Sequence, residues 1–294
     1  MKIVVTGSLG HIGKPLTQML VQRHHSVTVI SSNPERKKDI EALGATAAIG
    51  SVEDLDFLTA TFTGADAVHA MVPPNNSVPN PMERNWKVGE ITARAIEKSG
   101  VKRVVYVSSY GADLPAGTGL IVGHHHIENA LLGLKNLESL TLLRACYIYY
   151  NMYAYLGMIK NTGVITANYG DDDRVVLVAP EDIAEAALEE LESTATGQRV
   201  RYVASDERPC SEIASVIGQA IGKPDLKWIT ISDEEMQKGF EAHGMSQSVA
   251  SCFVEMFSAC HTGLLHHDYD NNRPKPGRVK LEDFVQEFAT VYNK

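Results

Sequence analysis

Three glycines at three-residue spacing, Gly7, Gly10 and Gly13, follow a short apolar run and open a helical pattern in MKIVVTGSLGHIGKPL. Residues 3–5 are β-branched throughout, which suits a strand covered on both faces. Residues 14–23 carry Leu16, Met19 and Leu20 on one helical face, with Pro15 acceptable in the first turn. Strand, glycine turn and helix in that order form a phosphate cradle: the turn lets the backbone come close to a pyrophosphate, and the helix aims its first N–H groups at it. Gly7, Leu9, Gly10, His11, Ile12 and Gly13 are therefore the expected pyrophosphate contacts. The spacing is Gly-x-x-Gly-x-x-Gly rather than the commoner Gly-x-Gly-x-x-Gly.

The first half of the chain alternates strand and helix patterns. Strands are expected at 26–30, 45–49, 65–71, 103–108 and 139–144, and helices at 34–43, 55–62, 85–99 and 121–134. Such alternation predicts an α/β, Rossmann-type doubly wound parallel sheet. The pattern changes after Tyr147. A tyrosine-dense run, an acidic turn at 171–173, strands at 175–178 and 199–203, and helices at 180–191, 211–221, 234–243, 249–259 and 281–292 describe a smaller, more helical lobe. The division is expected near residue 150: a dinucleotide-binding domain over 1–150 and a discontinuous substrate lobe over 151–294. Strands within 175–205 are expected to return to the main sheet.

The chain has 294 residues, enough for a large core. Its 27 basic and 36 acidic side chains give a net charge of −9, which disfavours a nucleic-acid partner. No leader segment and no apolar run of membrane-spanning length are expected. Cys146, Cys210, Cys252 and Cys260 lack paired or metal-binding spacing and read as buried thiols of a cytoplasmic protein. No metal site is expected. His124, His125 and His126 are adjacent, so on a helix their side chains diverge. Asp171–Asp173 lacks a calcium-loop pattern and reads as a solvated turn. His266 and His267 are expected on a surface loop.

The end of the second strand discriminates between dinucleotides. A carboxylate there bonds the ribose 2′-OH of NAD. This chain instead has Ser31, Ser32 and Asn33, followed by Arg36 and Lys37, which suits the extra phosphate of NADP(H).

Several segments now converge: the glycine run, SSNPERK at 31–37, VVYVSSYGA at 104–112, HHIENALL at 125–132, TLLRACYIYYN at 141–151 and VAPEDIAEAA at 178–187. Together they resemble the NmrA-like family of atypical short-chain dehydrogenase/reductases, nearly end to end, and within it the bacterial NADPH-dependent quinone oxidoreductases. The resemblance implies that Ser108 or Ser109 holds the family's serine position. It also implies that Met71, Val72, Pro73 and Pro74 face the cofactor, and that Asn151 belongs to the pocket. Asn75, Asn76 and Asn80 read as a lid or as a polar loop. Extended members of the wider superfamily carry Tyr-x-x-x-Lys with a glutamate four residues after the lysine. Anchored on Glu128, those positions hold Leu120 and His124. Leucine donates no proton, so a carbonyl dehydrogenase or sugar epimerase of that type is disfavoured.

Hydride transfer to a quinone needs only the cofactor and an acceptor held against it. The expected function is NADPH-dependent reduction of a quinone or similar small electrophile. His124 would stand at the nicotinamide ribose, and Tyr110 or Tyr149 would contact the acceptor. The tyrosines at 147, 149, 150, 153 and 155 supply an aromatic wall or simple core packing. A second reading is a catalytically silent NADP(H)-binding sensor that regulates a protein partner. A monomer and a homodimer both suit the sequence.

Overall fold

The computed structural model describes residues 1–73, 75, 78 and 80–294; the expectations placed on Pro74 and Asn76 lie outside them. In chain order the first half runs β1 (Lys2–Val5), α1 (Gly13–Gln22), β2 (Ser26–Ser31), α2 (Arg36–Ala42), β3 (Thr46–Ile49), α3 (Leu55–Phe62), β4 (Ala67–Ala70), α4 (Pro81–Ser99), β5 (Arg103–Ser109), α5 (Val122–Leu132) and β6 (Ser139–Ala145). The second half contains β7 (Tyr147–Ile148), α6 (Leu156–Thr162), β8 (Ile165–Ala167), β9 (Arg174–Val178), α7 (Pro180–Glu192), β10 (Gly197–Val203), β11 (Asp206–Pro209), α8 (Cys210–Ala220), β12 (Trp228–Thr230), α9 (Asp233–Ala242), α10 (Gln247–His261), α11 (His266–Asn271) and α12 (Leu281–Tyr292).

Two compact units result. The first comprises Met1–Ser109, Gly123–Arg144 and Ile183–Arg201, and the second Tyr110–Val122, Ala145–Asp182 and Tyr202–Lys294.

The first unit is a Rossmann-type parallel sheet with strand order β10-β6-β5-β4-β1-β2-β3. The order reverses between β1 and β4, the topological switch point at which such sheets bind ligands. Ile3 lies opposite Val27 on one side and Ala67 on the other, which fixes the register around the glycine turn. One sheet face buries Val4, Val68, Val104, Tyr106 and Leu142 against Leu58, Phe62, Ile96 and Leu131 of the helices. Each large side chain buried in this way contributes about 1.5–3 kcal/mol.

Local chemistry sets the helix ends. The Asp54 carboxylate accepts from Asp56 and Phe57 N–H at the start of α3. Helix α4 begins four residues earlier than its hydrophobic period indicates. Asn80 caps it by accepting from Glu83 N–H, and Pro81 occupies the first turn. It stops where Gly100 turns left-handed at φ 73°.

The second unit holds a three-stranded sheet, β11-β9-β7, and a two-stranded one, β12-β8. The tyrosine-rich stretch Tyr149–Tyr155 is a 3-10 helix that runs into α6. Asp182 ties the approach to α12. Its carboxylate accepts from Ser205 Oγ at 2.5 Å, Arg278 N–H at 3.1 Å and Val279 N–H at 3.2 Å.

Two expectations need correction, and the acidic turn gains detail. His266 opens α11 rather than standing on a loop, and it is buried, with Nε2 3.0 Å from the Arg174 carbonyl oxygen. The turn at Asp171–Asp173 has Asp171 and Asp172 exposed, as expected, and Asp173 anchors it, contacting His261 Nδ1 at 2.7 Å and accepting from Gly170 N–H at 2.8 Å. Gln247–Asn271, 25 residues long, is apolar enough by length and composition to cross a membrane. It breaks at Gly263, where φ is +73°, into α10 and α11. Among the described residues, no cluster of three or more metal-ligating side chains occurs.

Candidate functional site

The glycine turn is built around two close approaches. Gly7 has φ +90°, a conformation that side chains rarely adopt, and a Cβ there would meet the Met71 sulfur at 2.8 Å. A Cβ at Gly13 would lie 2.3 Å from the Ser8 carbonyl oxygen, so only glycine lets α1 start directly under the turn. Thr6 fastens the turn to the end of β4, accepting from Met71 N–H at 2.8 Å and donating to its carbonyl at 3.2 Å. Among the described residues, the N–H groups of Leu9, Ile12 and Gly13 have no protein acceptor. The buried Ser8 hydroxyl likewise has no partner. Ile12, which caps α1, brings no side-chain acceptor of its own. Convergent unpaired donors at a helix N-terminus match an anionic phosphate in charge and geometry. These residues fit a dinucleotide pyrophosphate.

Beyond β2 the expected phosphate donors separate into two groups. Ser31 is buried and committed to its own turn: its Oγ accepts from Asn33 N–H at 3.2 Å. Asn33 in turn accepts from Glu35 N–H through its side chain at 2.9 Å. Ser32, Asn33, Arg36 and Lys37 are exposed. Arg36 and Lys37 stand 3.8 and 3.9 Å from Asp39 and Glu41, and such open pairs contribute little. Both cations are thus free to exchange partners for a phosphate. Leu9, Met71, Val72 and Pro73 are half-buried and His11 is exposed.

Two rungs join β5 to α5. On β5, Tyr106 and Ser108 are two residues apart and share a face. On α5, His124 and Glu128 are four apart and share a face. The Tyr106 hydroxyl lies 3.0 Å from His124 Nδ1, and Ser108 Oγ donates to Glu128 at 2.6 Å. Arg144 closes the second rung with a bidentate pair to Glu128, Nε at 3.1 Å and a terminal nitrogen at 2.8 Å. Burial pushes the Tyr106 phenol far above its ordinary range, helped by the Glu128 charge. Burial also lowers the His124 imidazole, against an opposing pull from Glu128. At neutral pH the pair is an intact phenol on an uncharged imidazole. Sequence reasoning identified His124, Ser108 and Glu128 but missed Tyr106 and Arg144. The signal was the spacing itself, two on the strand against four on the helix.

Ser109 is half-buried at the end of β5. Tyr110 is 5% exposed, its ring 6.1 Å from that of His266, and burial pushes its phenol well up. Tyr149 is 1% exposed, stacks on Phe284 at 5.2 Å and donates to the Val279 carbonyl at 3.4 Å. Both rings are packed within the second unit. Asn151 is exposed, on the 3-10 stretch. Leu120 sits in a short 3-10 turn before α5 and carries no proton to give. His126 meets Trp86 edge-on at 5.0 Å. Burial also pushes up the Cys146 thiol.

Comparison with known proteins gives the context. A family described as NAD(P)H-binding matches residues 7–194. An NAD(P)H azoreductase of Xenophilus azovorans is 22% identical over 259 residues, covering 87% of this chain and 86% of that protein. The fold is shared with two solved structures. One is described as a nucleoside-diphosphate-sugar epimerase from Staphylococcus aureus, with TM-score 0.79, 19% identity, and coverage of 97% of this chain and all of that one. The other is an NADPH-dependent quinone oxidoreductase from Escherichia coli, with TM-score 0.78, 20% identity, and coverage of 97% and 99%.

Proposed function

The chain belongs to this NAD(P)H-binding family, and from that premise we propose that it is an NADPH-dependent reductase of quinones or similar small electrophiles. The observation that carries the reading is Leu120 with His124, where related enzymes have a proton-donating tyrosine and its lysine. When bound, NADPH supplies the hydride. The Leu9, Ile12 and Gly13 amides hold the pyrophosphate, with Gly7 and Gly10 keeping the approach open. Ser32, Asn33, Arg36 and Lys37 take the 2′-phosphate, which is the basis for preferring NADPH to NADH. Met71, Val72 and Pro73 flank the adenine side. Ser108, Ser109 and His124 serve the nicotinamide ribose.

An acceptor in this site has to take a hydride with no acidic side chain at position 120. A quinone does so, because its developing phenolate is stabilised by resonance and is protonated by water. A simple ketone has no such outlet and needs the acid that Leu120 lacks. Orientation and electrostatics are the protein's contribution.

The test is a panel assay: purified protein with NADPH and, in turn, benzoquinone, menadione, an azo dye and a cyclic ketone, with cofactor oxidation followed by absorbance. Quinones are expected to be turned over and the ketone left untouched. Reduction of the ketone at comparable rates would contradict the reading, as would failure of every quinone.

A further inference from the structure

Tyr106 has no place in the family pattern described above, yet it makes a hydrogen bond that decides what His124 can do. The phenol is fully buried, and among the described residues its hydroxyl has one partner, His124 Nδ1 at 3.0 Å. A buried hydroxyl that leaves its proton unshared loses free energy, so the proton goes to the one acceptor within reach. Glu128, the nearest carboxylate on the same helix face, is already engaged by Ser108 and Arg144. Nδ1 must then be the bare, accepting nitrogen. A neutral imidazole carries one proton, which leaves it on Nε2. Nε2 has no protein partner among the described residues, and His124 is half-buried.

We infer that Tyr106 is a positioning residue that locks His124 in its Nε2–H tautomer and so presents a fixed hydrogen-bond donor to the cofactor's ribose; this rests on the placement of His124 at that ribose proposed above. The lock explains how a histidine can stand where related chains use a lysine. A lysine is always a donor. A free neutral imidazole is a donor or an acceptor at a given nitrogen according to its tautomer. Fixing the tautomer removes that ambiguity and spares the cost of selecting it on binding. The acceptor meets an uncharged donor and not an imidazolium.

The experiment has two parts on the full chain. The first is a long-range proton–nitrogen NMR spectrum of unliganded protein labelled with nitrogen-15 histidine, with His124 assigned by its loss in His124→Leu. A pyridine-type Nδ1 and a pyrrole-type Nε2 are expected, shifting to a tautomer mixture in Tyr106→Phe. The second is NADPH titration by fluorescence of the wild type, Tyr106→Phe, His124→Leu and the double variant. Tyr106→Phe is expected to weaken binding by about twofold, the share of imidazole released into the other tautomer, and to add nothing in the His124→Leu background. A wild-type Nδ1–H tautomer or a mixture overturns the proposal. So does a Tyr106→Phe protein that binds like wild type, or one whose loss persists undiminished without His124. A wild type that does not bind NADPH would instead overturn the functional reading, because the spectrum of the unliganded protein decides the tautomer by itself.

Discussion

At the scale of single residues, the site is governed by contacts that admit one side chain or none. A Cβ at Gly13 would press on the Ser8 carbonyl at 2.3 Å, and backbone on both sides leaves nothing flexible to yield. Gly13→Ala is expected to cost about 1–3 kcal/mol in denaturant unfolding and at least tenfold in NADPH affinity. The cations beyond β2 act differently, because they are exposed and move without strain. Replacing Arg36 and Lys37 together by alanine should weaken NADPH binding by about 1.5–3 kcal/mol, the worth of a charged hydrogen bond, while NADH binding holds. Paired titrations with the two cofactors check this. An equal loss for both would remove the 2′-phosphate from these side chains. The glycine turn was legible in the sequence because it is local, set within a few residues by turn geometry. The fate of Ser31 was not legible, because whether its hydroxyl faces a ligand or its own turn depends on how the turn closes.

At the scale of elements, the strands and helices of the first unit follow closely from pattern. Their hydrophobic periods are long and their stops are glycines, as at Gly44, Gly64 and Gly100, all with positive φ. The start of α4 was missed because a polar cap, Asn80 with Pro81, extends it past its apolar stripe. The tyrosine run was hard to read because a 3-10 turn has neither strand nor α-helix period. The Tyr106–His124 rung was missed because its signal is split between a strand and the helix packed on it, 18 residues apart.

His69 shows what an element can enclose. It lies in β4 with Val5 in register on one side and Val105 on the other, and neither ring nitrogen has a partner among the described residues. Burial lowers its pKa from 6.5 to about 4. The unfolded chain therefore takes up a proton that the folded one refuses, so stability is lost as pH falls from 6.5 toward 4. The loss amounts to about 3 kcal/mol. His69→Leu should abolish that part of the acid dependence, measured as unfolding free energy across this interval. A pH slope unchanged from wild type would place the dependence elsewhere. Asp182 fastens the second unit by hydrogen bonds instead. Asp182→Ala removes the acceptor of the part-buried Arg278 and Val279 N–H groups and of the buried Ser205 hydroxyl, and should cost about 1.5–3 kcal/mol by denaturant unfolding.

At the scale of the whole molecule, the α/β architecture was accessible from sequence because it repeats one unit, strand then helix, whose period changes are strong signals. The second unit was less so, since its short strands lie far apart in sequence, as β7, β9 and β11 do. The fold alone leaves function open: the solved structures that share it include a protein described as a sugar epimerase and a quinone oxidoreductase. The reading proposed above rests on a handful of positions, Leu120 and His124 foremost. The measurement that tests the central claim most directly is oxidation of NADPH by menadione in the presence of the purified protein, run beside NADH under the same conditions. The account predicts that the quinone is consumed one for one with NADPH and that NADPH is preferred by roughly tenfold or more in kcat/KM, as one lost phosphate contact implies. Tight NADPH binding with no quinone reduction would contradict it and leave a cofactor-binding protein without this chemistry.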